Sequence, residues 1–264
     1  MKYPIGIQNF EDLRLNNYIY IDKTKYIYKL ANEGKYYFLS RPRRFGKSLL
    51  ISTIEAYFQG KRELFDGLAI QQEEKEWNSY PILHIDLNTA NFREEDSLYT
   101  LLNDYLCQWE SVYGTRESET TLALRFKGIV ARIAQKEGKG VVILIDEYDK
   151  PILQTLQHPE LQDKHRNMLK AFYSVLKTQD KYIKFAFITG VTKFGKVSVF
   201  SDLNNLTDIS MDNRYVAICG LTEEELASNF KQGIEELAKT YGDTIEETIA
   251  KLRERYDGYH FEEH

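Results

Sequence analysis

The amino-acid sequence predicts an α/β fold with a mostly parallel sheet. Short runs of apolar and β-branched residues, typical of strands buried on both faces, alternate with longer segments of helical periodicity. Strands that alternate with helices favour parallel pairing through right-handed crossovers. One strand is followed by Gly-Lys-Ser and another ends in two acidic residues, which indicates ligand binding where the strands end.

The elements follow one another regularly up to Gly220. Aromatic and β-branched residues predict five strands, and apolar residues on one face predict the helices between them. We also expect Asp22 to be the N-cap of a short helix through Leu30. The predicted strands are 36–40, 81–87, 141–146, 183–189 and 215–219, and the predicted helices are 46–58, 98–112, 122–133 and 168–176.

The pattern changes after Gly220, where only helices are predicted. Thr222 and Glu225 have the spacing of a capping box that opens an amphipathic helix with Leu226, Phe230 and Leu237. A further helix is expected from 244 to 256. We interpret 221–264 as a helical lid or the start of another domain, and we expect the sequence to be a piece of a longer chain.

The composition is that of an ordinary globular protein, with 42% hydrophobic and 28% charged residues among 264. No apolar run approaches the length of a membrane span, and the N-terminus lacks the apolar core of a secretory signal. Cys107 and Cys219 are isolated, so we expect core or half-buried thiols in a reducing compartment. These features favour a cytoplasmic protein.

The segment after the first strand has the features of a phosphate-binding loop. Gly46 permits a close approach of the backbone, Lys47 supplies a charge for the β- and γ-phosphates, and the Ser48 hydroxyl can ligate Mg²⁺. The full pattern has glycine five residues before Gly46, where this chain has Arg41. A turn that precedes an amphipathic helix is the alternative interpretation of so short a motif.

Two acids at the end of strand 141–146 complete the pattern. Asp146 would hold Mg²⁺, and Glu147 would orient and deprotonate the attacking water. The alternative is a strand that ends in a solvated acidic turn. Together with Gly46-Lys47-Ser48, however, the two acids predict a site for ATP and Mg²⁺.

Charge is unevenly distributed in this chain of net charge −5. Residues 163–196 contain eight Lys and Arg against two acids, whereas residues 222–264 contain five against twelve. The basic stretch 164–196 could follow the phosphate backbone of DNA. A solvated helix face with its adjoining loops explains such a run equally well.

Several segments of this sequence together resemble the AAA-ATPase-like family, along essentially the whole chain. In that family arginine also replaces the first glycine of the phosphate loop, so Arg41 agrees with nucleotide binding. The segments are Tyr3-Pro4-Ile5-Gly6, 20–24, 41–48, 146–151, 200–208 and 221–226.

The resemblance implies a P-loop NTPase fold, a three-layer sandwich with a five-stranded sheet of order 5-1-4-3-2. We divide the chain accordingly into an entry segment (1–35), an ATPase core (36–220) and the helical region (221–264). Many family members carry a nuclease domain further along. The resemblance also implies an adenine pocket beside the entry segment, with Ile7, Phe10 or Tyr20.

In such folds a polar residue after the fourth strand contacts the γ-phosphate or the attacking water. Thr189 and Thr192 are the candidates, and we take Thr192 as the catalytic one beside Glu147 and Lys47. Of the two loop arginines, we expect Arg44 to act on phosphate, from the same or a neighbouring subunit. The expected phosphate contacts are Arg43, Arg44, Phe45, Gly46, Lys47, Ser48 and Leu49.

The sequence leaves three functions open. The first is a Mg²⁺-dependent ATPase whose turnover drives a conformational switch in a protein that could form homo-oligomers. The second is a nucleotide-gated binding module with little turnover, which would use the same residues. The third is a DNA-processing or defence motor coupled to a downstream nuclease domain.

Overall fold

The computed structural model describes residues 2–193, 199–200, 203, 205–256, 259 and 261, which form five strands and eleven α-helices. The strands are β1 (Tyr36–Ser40), β2 (Ile82–Asp86), β3 (Val141–Asp146), β4 (Ile183–Gly190) and β5 (Thr207–Asp208). The helices are α1 (Phe10–Leu15), α2 (Thr24–Glu33), α3 (Lys47–Phe58), α4 (Ile70–Glu73), α5 (Ser97–Tyr113), α6 (Leu122–Glu137), α7 (Lys150–Gln154), α8 (Pro159–Thr178), α9 (Glu223–Asn229), α10 (Lys231–Tyr241) and α11 (Ile245–Tyr256).

The five strands form one parallel sheet in the order β2-β3-β4-β1-β5. This is the predicted order 5-1-4-3-2 counted from the opposite edge, so the α/β prediction is confirmed. Parallel strands point the same way, and their carboxyl ends therefore meet at one edge of the sheet. The register places Asp146 beside Asp86 and Ile145 beside Ile188.

Helices cover both faces of the sheet because its central strands are apolar on both sides. Along β3, Val141, Ile143 and Ile145 belong to the core shared with α5, α6 and α8. Val142 and Leu144 alternate with them and belong to the core shared with α2 and α3. The fold therefore has three layers, and α3 begins beside the edge of the sheet where the strands end.

The predicted fifth strand is wrong. Residues 215–219 are not a strand, and β1 instead pairs with the two residues of β5, Thr207 and Asp208. Tyr215 and Ile218 are buried in the core on the α3 side. The segment is apolar because it packs, and periodicity cannot distinguish such a short run from a buried strand.

Smaller predictions also change. The N-cap of α2 is Lys23, and the Asp22 carboxylate accepts a hydrogen bond from the N–H of Thr24, the first residue of the helix. Cys107 is exposed on α5, contrary to the expectation of a core or half-buried thiol, whereas Cys219 is buried. Phe10 is fully buried and packs on Phe65, so its ring is unavailable to adenine.

The region after Gly220 is helical as predicted. The capping box of Thr222 and Glu225 opens α9, because each residue bonds the other's backbone N–H. The predicted single helix is divided into α9 and α10 at Phe230. None of the helices among the described residues has the length and apolar character needed to cross a membrane.

Gly190, at the end of β4, lies very close to the residues that follow β3, and its substitution tests this contact. A Cβ atom at this position would lie 2.4 Å from the Tyr148 ring and 2.8 Å from the Asp149 carboxylate. We expect Gly190→Ala to lower the free energy of unfolding by about 1–3 kcal/mol, because both neighbours are buried and packed. Urea denaturation measures the loss.

Gly233→Ala in α10 is the matched control. The two atoms within 4 Å of its Cβ both belong to the ring end of the exposed Tyr3 side chain, and alanine favours a helix interior over glycine by about 1 kcal/mol. Equal losses for the two variants would contradict a specific close contact at Gly190.

Candidate functional site

The loop between β1 and α3 has the backbone of an anion cradle. Gly46 lies in the left-handed region with a φ of 85°, and Arg44, although not a glycine, does so too with a φ of 69°. Within the described chain, the N–H groups of residues 43–47 have no protein acceptor. Free N–H groups before and at a helix N-terminus bind anions such as phosphate.

Asp146 connects this loop to the sheet. The Ser48 hydroxyl donates a hydrogen bond of 2.6 Å to one carboxylate oxygen of Asp146. The Thr189 hydroxyl, at the end of β4, donates a hydrogen bond of 2.5 Å to the other. The two halves of the predicted site, 98 residues apart in the chain, are therefore in direct contact.

Lys47 and Glu147 form a second contact between the loop and β3. The Lys47 ammonium lies 3.1 Å from the Glu147 carboxylate and donates to the carbonyls of Arg41 and Pro42. Burial raises the pKa of the Glu147 carboxyl, although the Lys47 charge acts in the opposite direction. Glu147 has a φ of 54°, and such backbone strain is typical of functional sites.

Asp149 connects the segments that follow β3 and β4 through hydrogen bonds. Its fully buried carboxylate accepts hydrogen bonds from the N–H groups of Val191 and Thr192 and from the Thr192 hydroxyl. The Tyr148 hydroxyl lies 3.3 Å from the Thr192 hydroxyl. Lys150 instead binds Asn88, after β2. Asp149 therefore has a structural role and does not pair with Lys150.

The two candidate threonines have different surroundings. Thr189 is fully buried and contacts Asp146, whereas Thr192 is held by Asp149 and Tyr148. The structure brings Thr189, rather than Thr192, into contact with the Ser48–Asp146 pair. The catalytic role of Thr192 stays a prediction.

The remaining loop residues differ in exposure, and their contact with phosphate stays a prediction. Arg43 and Arg44 are exposed and make no ion pair in the described part of the chain. The Phe45 carbonyl accepts a hydrogen bond from Gly220, and the Phe45 ring packs against Tyr259. Leu49 is partly buried against the α3-side core.

Asp86 is a residue of this edge that sequence reasoning missed. It ends β2 directly beside Asp146, with its side chain on the same face of the sheet. Burial raises the pKa of the Asp86 carboxyl, and the charge of Asp146 acts in the same direction. The sequence signal that could have identified Asp86 is an acidic residue at the end of a predicted strand.

The basic stretch 164–196 does not form a uniformly free surface. Lys164 pairs with Glu95 and Asp96, and Arg166 pairs with Asp163. Lys181 lies against the ring of Tyr182 and Lys184 against that of Tyr80, while Lys196 lies outside the described residues. DNA contact stays a sequence prediction without structural support.

Comparison with known proteins agrees with this geometry. A family model described as predicted AAA-ATPase matches residues 4–200. A protein of Azotobacter chroococcum mcd 1, described as an uncharacterized protein in the vnfD 5' region, is 38% identical over 261 residues. The alignment covers 98% of this chain and 49% of the relative, so the chain spans about half of that protein's length.

Asp149→Asn tests the connection between β3 and β4. An amide has one acceptor oxygen and would present donors to the donors of Val191 and Thr192. Hydrogen bonds to charged groups contribute about 1.5–3 kcal/mol each, so we expect the free energy of unfolding to fall by about 2–4 kcal/mol in urea denaturation. Asp104→Asn removes the same charge from an exposed position and should change it by less than about 0.5 kcal/mol.

Proposed function

Because the chain belongs to the predicted AAA-ATPase family, we propose that it binds ATP with Mg²⁺ at the phosphate loop and hydrolyses it. The observation that carries the proposal is the pair of contacts Ser48–Asp146 and Lys47–Glu147. They bring the phosphate loop and the two acids at the end of β3 together, and phosphoryl transfer uses a loop lysine, a Mg²⁺ ligand and a water-activating group in one place. Membership of the family supports ATP binding in general, and we infer ATP hydrolysis from the two contacts.

The donor atoms suit magnesium. Mg²⁺ prefers oxygen ligands and is usually held by one or two protein groups together with phosphates and water. The Ser48 hydroxyl and the Asp146 carboxylate are oxygen ligands joined by a hydrogen bond of 2.6 Å, so they are close enough for both to hold one cation in place of that bond. When bound, Mg²⁺ would neutralise charge on the phosphates.

Glu147 is our proposed general base. Its carboxylate accepts a proton from the attacking water, the water oxygen forms a bond to the γ-phosphorus, and the bond to the ADP oxygen breaks. Lys47 exchanges its contact with Glu147 for the β- and γ-phosphate oxygens. The same movement neutralises phosphate and frees the base, so the base is released only when nucleotide is present.

Other groups are proposed to assist. Thr189 positions Asp146 through its hydrogen bond, and Thr192 stays the predicted sensor of the γ-phosphate. Arg44 is exposed on the loop and would contact phosphate in its own subunit or in a neighbouring one. Residues 43–49 as a group would surround the phosphates through their backbone N–H groups.

We propose that hydrolysis also changes the position of the helices after Gly220. The N–H of Gly220 donates to the carbonyl of Phe45 in the phosphate loop. Lys23, before α2, forms an ion pair with Glu225 in α9. A change of loop conformation would therefore reach the start of α9 through direct bonds.

The deciding experiment is Mg²⁺-dependent release of phosphate from ATP by the purified chain. Turnover above a sample without protein supports an ATPase. Tight ATP binding without turnover would favour the nucleotide-gated module. Absence of both would overturn the proposal.

We expect Lys47→Ala to weaken ATP binding by about 100-fold, equivalent to about 2.7 kcal/mol, because the variant loses the buried charge at the phosphates. Isothermal titration calorimetry with Mg²⁺-ATP measures the affinity. Lys75→Ala, which removes an exposed lysine, is the matched control and should bind normally. Unchanged affinity in Lys47→Ala would exclude the loop as the nucleotide site.

We expect Glu147→Gln to bind ATP and to hydrolyse it at least about 100-fold more slowly, which is the typical contribution of a general base. Steady-state phosphate release measures the rate, and calorimetry on the same sample measures binding. Glu73→Gln changes an exposed acid and should keep the full rate. A normal rate in Glu147→Gln would show that another group is the base.

A further inference from the structure

Three lysine and arginine side chains are buried in the described part of the chain. Arg41 is 1% exposed, Lys47 is 4% exposed and Lys23 is 7% exposed. Burying a cation is costly unless it is paired or solvated by dipoles. Three such residues in one small region therefore require an explanation.

All three lie around the base of the phosphate loop. The Cys219 thiol is close enough to sense each of them: burial raises its pKa to about 11, and the charges of Arg41, Lys47 and Lys23 act in the opposite direction. Lys47 also bonds the Arg41 carbonyl. The three side chains thus lie in one region, around Cys219 and the start of the phosphate loop.

Two of the three have carboxylate partners. Lys47 pairs with Glu147, and Lys23 pairs with Glu225 at 2.5 Å. Arg41 differs, because no carboxylate in the described ranges lies within ion-pair distance of it. The charge of Asp208 acts on Arg41, but Asp208 is exposed and its carboxylate accepts a hydrogen bond from the N–H of Ser210.

The Arg41 guanidinium is instead surrounded by carbonyls and an aromatic ring. It donates to the carbonyls of Ser40 at 3.0 Å and Ser210 at 2.6 Å, and it lies 3.5 Å from that of Tyr215. The ring centre of Phe261 lies 4.0 Å from its carbon Cζ. Its Nε is buried and has no partner among the described residues.

This environment keeps Arg41 charged without neutralising it. Arginine does not lose its proton in proteins, and carbonyl dipoles solvate a cation but leave its net charge in place. Burial protects that charge from screening by salt, so its field extends further than that of a surface arginine. The free N–H groups of residues 43–47 and the positive end of α3 add to the same potential.

We propose that Arg41 is a second buried cation of the polyphosphate site, in addition to Lys47 and the backbone N–H groups, and that the nucleotide phosphates supply its counter-charge. Arginine at the position of the first loop glycine is then an electrostatic component of the site. The inference rests on the proposed function and makes affinity depend on the number of phosphates.

The test compares Arg41→Gln with Arg41→Lys, by calorimetric titration with Mg²⁺-ATP, ADP and AMP. If Arg41 acts through its charge, Arg41→Gln should weaken ATP binding at least about tenfold, ADP binding less and AMP binding least. Arg41→Lys keeps the charge but loses the forked hydrogen bonds, and it should keep the natural ratio of ATP to AMP affinity. Arg62→Gln, which removes an exposed arginine, should change none of these affinities.

The outcomes separate an electrostatic role from a structural one. Equal losses for all three nucleotides, or an Arg41→Lys variant as impaired as Arg41→Gln, would overturn the proposal, because both indicate that the hydrogen bonds to the carbonyls matter and the charge does not. If Arg41→Gln does not fold, the Arg41→Lys variant decides alone. A ratio of ATP affinity to AMP affinity that differs tenfold or more from that of the natural protein would count against a charge effect.

The same titrations distinguish this inference from the proposed function. If Lys47→Ala does not bind ATP but Arg41→Gln binds it normally, the role of Arg41 is rejected and the nucleotide site is retained. Normal binding by Lys47→Ala would reject both.

Discussion

The site depends on the carboxylate of Asp146, which accepts one hydroxyl from the loop helix and one from the neighbouring strand. Asp146 is the last residue of β3, so its position is fixed by a strand that is buried along its whole length. Ser48 fixes the start of α3 against it, and Thr189 fixes β4. One side chain thereby sets the relative position of three elements. Further along, the bond from the Tyr148 N–H to the Thr189 carbonyl and the contacts of Asp149 continue this connection.

Two adjacent acids make different contacts because the backbone changes direction between them. In a continuing strand, Glu147 would point to the opposite face from Asp146. Glu147 has a left-handed conformation with a φ of 54°, which interrupts the strand. Its carboxylate contacts Lys47, whereas that of Asp146 contacts Ser48. Strain of this kind costs about 1–3 kcal/mol and persists only where the surroundings impose it. Here the bonds of Asp146, Tyr148 and Asp149 on either side impose it.

The sequence predicts those parts of the site that local patterns encode. The strands before the loop and before the acids are continuous apolar runs, and Gly46-Lys47-Ser48 and Asp146-Glu147 follow them directly, so their meeting follows from parallel topology. Partners that depend on register could not be predicted. The choice of Thr189 over Thr192 as neighbour of Asp146 depends on the register between β3 and β4, which pairs Ile145 with Ile188. Asp86 has a local signal, as an acid at the end of a predicted strand, but its pairing with Asp146 depends on register. The contacts of Asp149 depend on tertiary structure that no periodicity records.

The wrong fifth strand and the buried Arg41 have a common physical explanation. A buried carbonyl needs a donor, and in a sheet the neighbouring strand provides it. β5 pairs with β1 over only two residues, and the carbonyls of Ser210 and Tyr215 beyond it face the Arg41 guanidinium instead. The apolar segment 215–219 can therefore pack in the core without being a strand. A glycine at position 41 would remove this donor from the Ser210 carbonyl, whereas the Tyr215 carbonyl also accepts a hydrogen bond from the Ile218 N–H. Arg41 therefore supplies at Ser210 a hydrogen bond that a longer edge strand would otherwise supply.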